Sequence, residues 1–87
     1  MRDASSSAAL ARISEIIHDL MRRRQLPPPT SIDQSLREVG LKSLDFVTIM
    51  MAIEDEFAID IPQHELTLDN FQSIETIGRL VSGISPA

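Results

Sequence analysis

Gly40-Leu41-Lys42-Ser43-Leu44-Asp45-Phe46-Val47 joins two kinds of sequence: a glycine-containing loop ends here and an amphipathic stretch begins. Leu44, Val47, Met50 or Met51, and Phe57 recur at helical spacing, with Ile53 joining them, while Asp45, Glu54, Asp55 and Glu56 take polar positions. The spacing predicts a helix from Ser43 to about Ala58, with that apolar stripe turned inward. Serine at such a junction is a favoured N-cap, worth about 1 kcal/mol over alanine. Its hydroxyl also stands where an attached phosphate would meet free backbone N–H groups and the positive end of the helix dipole.

On the N-terminal side, Met1 to Ser7 is small and polar and reads as a disordered segment, with Ser5, Ser6 or Ser7 able to cap a first helix. Leu10, Ile13, Ile17, Leu20 and Met21 carry that helix, with Ile16 alongside, and Arg22-Arg23-Arg24 fall in its last turn, where cations favour the dipole. Pro27-Pro28-Pro29 cannot continue a helix. From there to Lys42 a long ordered loop is expected, anchored by Ile32, Leu36, Val39 and Leu41, with Gly40 in a backbone conformation that other residues avoid.

On the C-terminal side, Ile59-Asp60-Ile61-Pro62 ends the second helix as an extended connection. A short helix or turn follows between His64 and Asn70, closed by Phe71. Ser73 caps a last helix bearing Ile74, Ile77, Leu80, Val81 and Ile84, interrupted by Gly78, and 85–87 is tail. The fold class is all-α: a small bundle of three main helices plus one short helix, forming one domain over residues 8–84 with a long loop between the first two helices.

Composition narrows the chemistry. The 87 residues include no cysteine, so disulfides and thiolate zinc sites are excluded, and any thiol must come from an added group. No apolar run approaches the roughly 18 residues of a membrane span, and the start lacks the apolar core of a signal peptide. A cytoplasmic monomer without membrane insertion is expected. Tyr and Trp are absent, which argues against base stacking and nucleic-acid recognition. His18 and His64 lie on different segments, and Glu54-Asp55-Glu56 lacks the spacing of a calcium loop, so no metal site is expected. Residues 1–42 hold seven basic against five acidic side chains, whereas residues 43–87 hold one basic against eight acidic, so the acidity behind the net charge of −5 is concentrated in the second half. An acidic surface there would steer basic protein partners.

The Gly-x-x-Ser-Leu signature over Gly40–Leu44, followed in register by Ile53-Glu54-Asp55-Glu56-Phe57 and Ile61-Pro62, resembles the acyl carrier protein family over roughly residues 31–84. The resemblance implies that Ser43, flanked by Lys42 and Leu44, is esterified by 4′-phosphopantetheine from coenzyme A, whose thiol carries an acyl group as a thioester. It implies a non-catalytic role, with Asp45, Glu54 and Asp55 on an acidic docking face and Met51 as an apolar contact. The implied partners are a phosphopantetheinyl transferase, an acyl- or aminoacyl-loading ligase, and acyl-transfer or condensing enzymes with basic patches. The commonest family pattern has aspartate before the serine, where this chain has Lys42, as related peptidyl carriers also lack the aspartate; this points to a specialised member. The leading expectation is an acyl carrier of fatty-acid, lipid, polyketide or other specialised biosynthesis. Phe71-Gln72-Ser73-Ile74 also resembles aminoacyl or peptidyl-type carriers, and an unmodified acidic helical adaptor is the reading without the modification.

Overall fold

The computed structural model describes residues 7–84. Three α-helices, α1 (Ser7–Arg24), α2 (Ser43–Phe57) and α3 (Ile74–Ser82), are joined by irregular segments that include one 3₁₀ turn, Gln63–Glu65. The fourth element is thus a single turn, not the helix of a four-helix bundle. The expected caps Ser5 and Ser6, the rest of the N-terminal segment and the tail 85–87 lie outside the described residues. Among the described residues, no helix is long and apolar enough to cross a membrane.

Helix α1 packs against both α2 and α3. Its Ile13, Ile17, Leu20 and Met21 are buried as their spacing predicts, with Leu10 and Ile16 packed at the margin. The inward face of α2 differs from expectation. Phe46, Ile49 and Ile53 are buried, whereas Leu44, Val47 and Met51 are 81%, 48% and 60% exposed. Both sets recur at i, i+3, i+7, so periodicity alone permits either face to turn inward. Ile49 and Ile53, like Ile13, Ile17 and Ile77, are fully enclosed, and each such side chain contributes about 1.5–3 kcal/mol by leaving water.

Two helices end without glycine. Gln25 (φ 57°) and Ala58 (φ 54°) both adopt the left-handed conformation. After α1, the N–H groups of Gln25 and Leu26 reach the carbonyls of Arg22 and Met21 at 3.1 and 2.9 Å; after α2, Ile59 N–H reaches Glu54 O at 3.1 Å. These bonds satisfy carbonyls that the last helical turn would otherwise leave free, offsetting a left-handed residue's cost of about 1–2 kcal/mol.

The long loop is tied to the start of α3 by backbone bonds: Leu36 N–H to Gln72 O at 2.8 Å, and Glu75 N–H to Ile32 O at 2.9 Å. Leu36 and Leu41 are buried and Val39 packs beside them, but the Ile32 side chain is 41% exposed, so its carbonyl anchors the loop instead. Gly40 has φ 114°, which strains any larger residue, and a Cβ there would stand 3.0 Å from Leu26 Cδ2, which would have to shift. The loop is therefore anchored as far as Leu41, the residue before Lys42. At the other end of α2, Ile59 and Ile61 are buried and Asp60 is exposed, the alternation of an extended segment.

Candidate functional site

The start of α2 is built by three consecutive roles. Lys42 is the N-cap residue, with extended φ −116° and ψ 176°, and its carbonyl accepts the N–H groups of Asp45 and Phe46 at 2.9 and 3.2 Å. Ser43 is the first helical residue, not the cap, and is exposed. Residues in this first turn have no carbonyl one turn back, so the Ser43 and Leu44 N–H groups face outward with the dipole behind them. A lysine ammonium is a donor only, so the capping acceptor comes from the other direction. Asp45, at the third helical position, uses Oδ2 to accept the Lys42 backbone N–H at 2.9 Å. Ser43, one position past the cap, does not serve as the cap, and its side chain is exposed.

Asp45 is turned into the fold instead of lying on the solvated face expected for it. It is 8% exposed, and its Oδ1 accepts from Arg24 Nε at 3.0 Å. Burial pushes its carboxyl up, but the Lys42 N–H and the Arg24 guanidinium outweigh that and hold it below the ordinary carboxylate value. Glu54 is half-buried and its Oε2 accepts the Ile61 N–H at 2.9 Å. Glu56 pairs with Arg12, whose guanidinium carbon stands 5.6 Å from the centre of the Phe57 ring. The carboxylates expected on one solvated face are therefore divided: Asp45 and Glu54 hold the fold at the two ends of α2, and Asp55 remains exposed.

What α2 does present to solvent is a line running away from Ser43: Leu44, Val47, Met51 and Asp55, spaced so that they share one helical face. Beside this line an open apolar cleft of about 190 Å³ separates Phe46, Val47 and Met50 from Leu66, Leu68 and Phe71. Among the described residues, no group of three or more His, Cys, Asp or Glu could hold a metal ion. Arg24, which local sequence rules assign only to helix-end charge, reaches the start of α2 through Asp45. A run of three arginines before a carboxylate at the next helix's third position was the available signal, but nothing in it says which arginine crosses over.

The exposed hydroxyl on the first turn fits a phosphodiester: acceptor-seeking N–H groups, the dipole's positive end and the neighbouring Lys42 all favour an anion there. Residues 11–82 match the phosphopantetheine attachment site family. The chain belongs to that family. This carrier protein is 39% identical over 70 residues to aminoacyl carrier protein 1 of Bradyrhizobium diazoefficiens, covering 80% of this chain and 78% of the relative. It is 26% identical over 70 residues to aminoacyl carrier protein 2 of the same organism, covering 80% and 79%. A crystal structure of the Bradyrhizobium japonicum glycine:[carrier protein] ligase complexed with glycylated carrier protein contains a chain similar to this one, with TM-score 0.70 and 38% identity over 83% of this chain and 97% of that chain. A second complex, with the cognate carrier protein and an analogue of glycyl adenylate, gives TM-score 0.69 at 38% identity. The protein is thus a non-catalytic carrier with covalently attached 4′-phosphopantetheine, which sets aside the unmodified adaptor.

Proposed function

We propose that this carrier protein bears 4′-phosphopantetheine on Ser43 and carries an amino acid, loaded by a separate amino acid:carrier protein ligase. The observation that supports this most is the 39% identity to an aminoacyl carrier protein across 70 residues. The similarity to a carrier seen with a glycine ligase points the same way. Aminoacyl cargo, the alternative reading of the sequence, therefore replaces the fatty-acyl, lipid or polyketide cargo first expected.

When bound, the group supplies a thiol that holds the cargo carbonyl as an activated thioester. The chain's own residues do the rest. Ser43 supplies the hydroxyl oxygen for the phosphodiester, and its N–H with that of Leu44 favours the resulting negative charge. Lys42 adds a cation beside it, where the commonest family pattern would place a carboxylate that repels it. Leu44, Val47 and Met51 form the surface offered to the transferase and the ligase, with Asp55 at its far end. Their exposure supports a more apolar contact than the mainly acidic face, with Met51 as its apolar member, expected from sequence.

The test is competitive loading. The phosphopantetheinylated protein is offered ATP with glycine and other small amino acids and a glycine:carrier ligase, and in parallel ATP with fatty acids and an acyl-carrier synthetase. Aminoacylation reversed by hydroxylamine is the expected result; acylation by fatty acids in preference to every amino acid would overturn the assignment of cargo.

A further inference from the structure

The three arginines that close α1 divide between two partners. Arg22 and Arg23 both pair with Asp19 on their own helix, at 2.9 and 3.2 Å. Arg24 leaves the helix and donates to Asp45 Oδ1 at 3.0 Å, while Asp45 Oδ2 holds the Lys42 N–H at 2.9 Å. One carboxylate thus links the residue before Ser43 to the residue two after it, and Arg24 fastens that carboxylate to the end of α1. Both oxygens are engaged, which fixes the side chain of Asp45 in a single orientation.

We propose that Arg24 is a positioning residue for modification at Ser43, acting through Asp45 to hold the Lys42–Ser43 backbone so that the hydroxyl is presented in one place. This rests on Ser43 as the attachment residue. The need for such a tie follows from the loop. Gly40 lies two residues before Lys42 at φ 114°, a conformation available because glycine restrains its backbone least. Lys42 is the extended residue between that loop and the helix. Without Arg24, Asp45 can still accept an N–H, but one oxygen loses its partner and the carboxylate is free to turn toward water. The reacting oxygen moves with this backbone, and small misplacements of a reacting atom lower rates steeply.

The experiment measures phosphopantetheine incorporation from coenzyme A by a transferase, read by intact mass across a range of carrier concentrations. Arg24→Ala is expected to lower kcat/KM about tenfold, mostly in kcat, with Asp45→Asn similar and the double variant no slower than either single one. Arg24→Lys, which keeps a cation for Asp45, is expected to lie between. Arg22→Ala and Arg23→Ala remove the same charge from the same turn and are expected to load within about twofold of wild type. In amide exchange on the unmodified protein, Arg24→Ala is expected to speed the Lys42 amide while leaving Ile49 and Ile53 unchanged.

Three results overturn the proposal: wild-type loading by Arg24→Ala, equal slowing in Arg22→Ala and Arg23→Ala, or exchange accelerated to the same degree at Ile49 and Ile53. The first denies positioning, the second reduces it to encounter charge, and the third reduces it to general stability. Mass gain by Ser43→Ala, or none by wild type, rejects the attachment residue instead. In that case the Lys42 amide still decides whether Arg24 orders this backbone.

Discussion

Glu54 and Ile61 are joined across the end of α2, with Glu54 Oε2 accepting the Ile61 N–H at 2.9 Å. The bond folds the extended Ile59–Pro62 segment back along the helix that precedes it and places Ile59 and Ile61 in the core. A carboxylate accepting a backbone N–H is worth more than a neutral pair. Glu54→Ala is expected to lower unfolding stability by about 1–2 kcal/mol, and Glu54→Gln, which retains an acceptor, by less. Urea denaturation compares them; equal stability of wild type and Glu54→Ala would show the bond to be incidental.

Asp45 makes stability depend on acid. Its carboxyl titrates lower in the folded protein than in the unfolded chain because the Lys42 N–H and Arg24 outweigh burial. The unfolded chain therefore binds more protons, and stability rises with pH through this window. The contribution is complete above the unfolded value and is lost as pH falls through the lower folded value. The stability difference between wild type and Asp45→Asn is expected to shrink steadily from about pH 5 to about pH 2. A difference independent of pH over that range contradicts the role given to the ionised carboxylate.

Gly40 sets the course of the loop into Lys42. Gly40→Ala places a Cβ 3.0 Å from Leu26 Cδ2 at a φ of 114°. The expected cost is about 1–3 kcal/mol, read as a lower thermal midpoint. Since the loop delivers Lys42 to α2, slower modification of Ser43 is expected to accompany it.

Ser73 caps α3 reciprocally with Thr76: Ser73 Oγ accepts the Thr76 N–H at 3.2 Å, and Thr76 Oγ1 accepts the Ser73 N–H at 3.0 Å. With nine residues, α3 is too short to hold itself without such help and its buried face. Ser73→Ala is expected to cost about 1 kcal/mol, with helicity lost on mild heating ahead of wild type. Unchanged thermal unfolding would mean that the packing of Ile74, Ile77, Leu80 and Val81 suffices.

Much of this was legible in the chain. The apolar spacing of Ile13, Ile17, Leu20 and Met21, the cap at Ser73, the proline stops and the left-handed Gly40 all follow from local rules that act within a few residues. The faces of α2 were not legible, because Leu44-Val47-Met51 and Phe46-Ile49-Ile53 offer the same period and only packing against α1 chooses between them. The left-handed ends at Gln25 and Ala58 carry no glycine to announce them. Asp45 and Glu54 look like any exposed helix carboxylates until their partners, Arg24 and the Ile61 N–H, are brought up from 21 and seven residues away. Ser43 stands out through its flanks, and the structure shows it as the exposed first residue of the helix where its spacing also allowed a cap.

The most direct measurement is the intact mass of wild type and Ser43→Ala after coenzyme A and a phosphopantetheinyl transferase, and again after ATP, glycine and a glycine:carrier ligase. Wild type is expected to gain one phosphopantetheinyl group and then one amino acid, with Ser43→Ala folded but unchanged at both stages. Gain of either group by Ser43→Ala, or a wild-type protein that several transferases leave unmodified, contradicts the account.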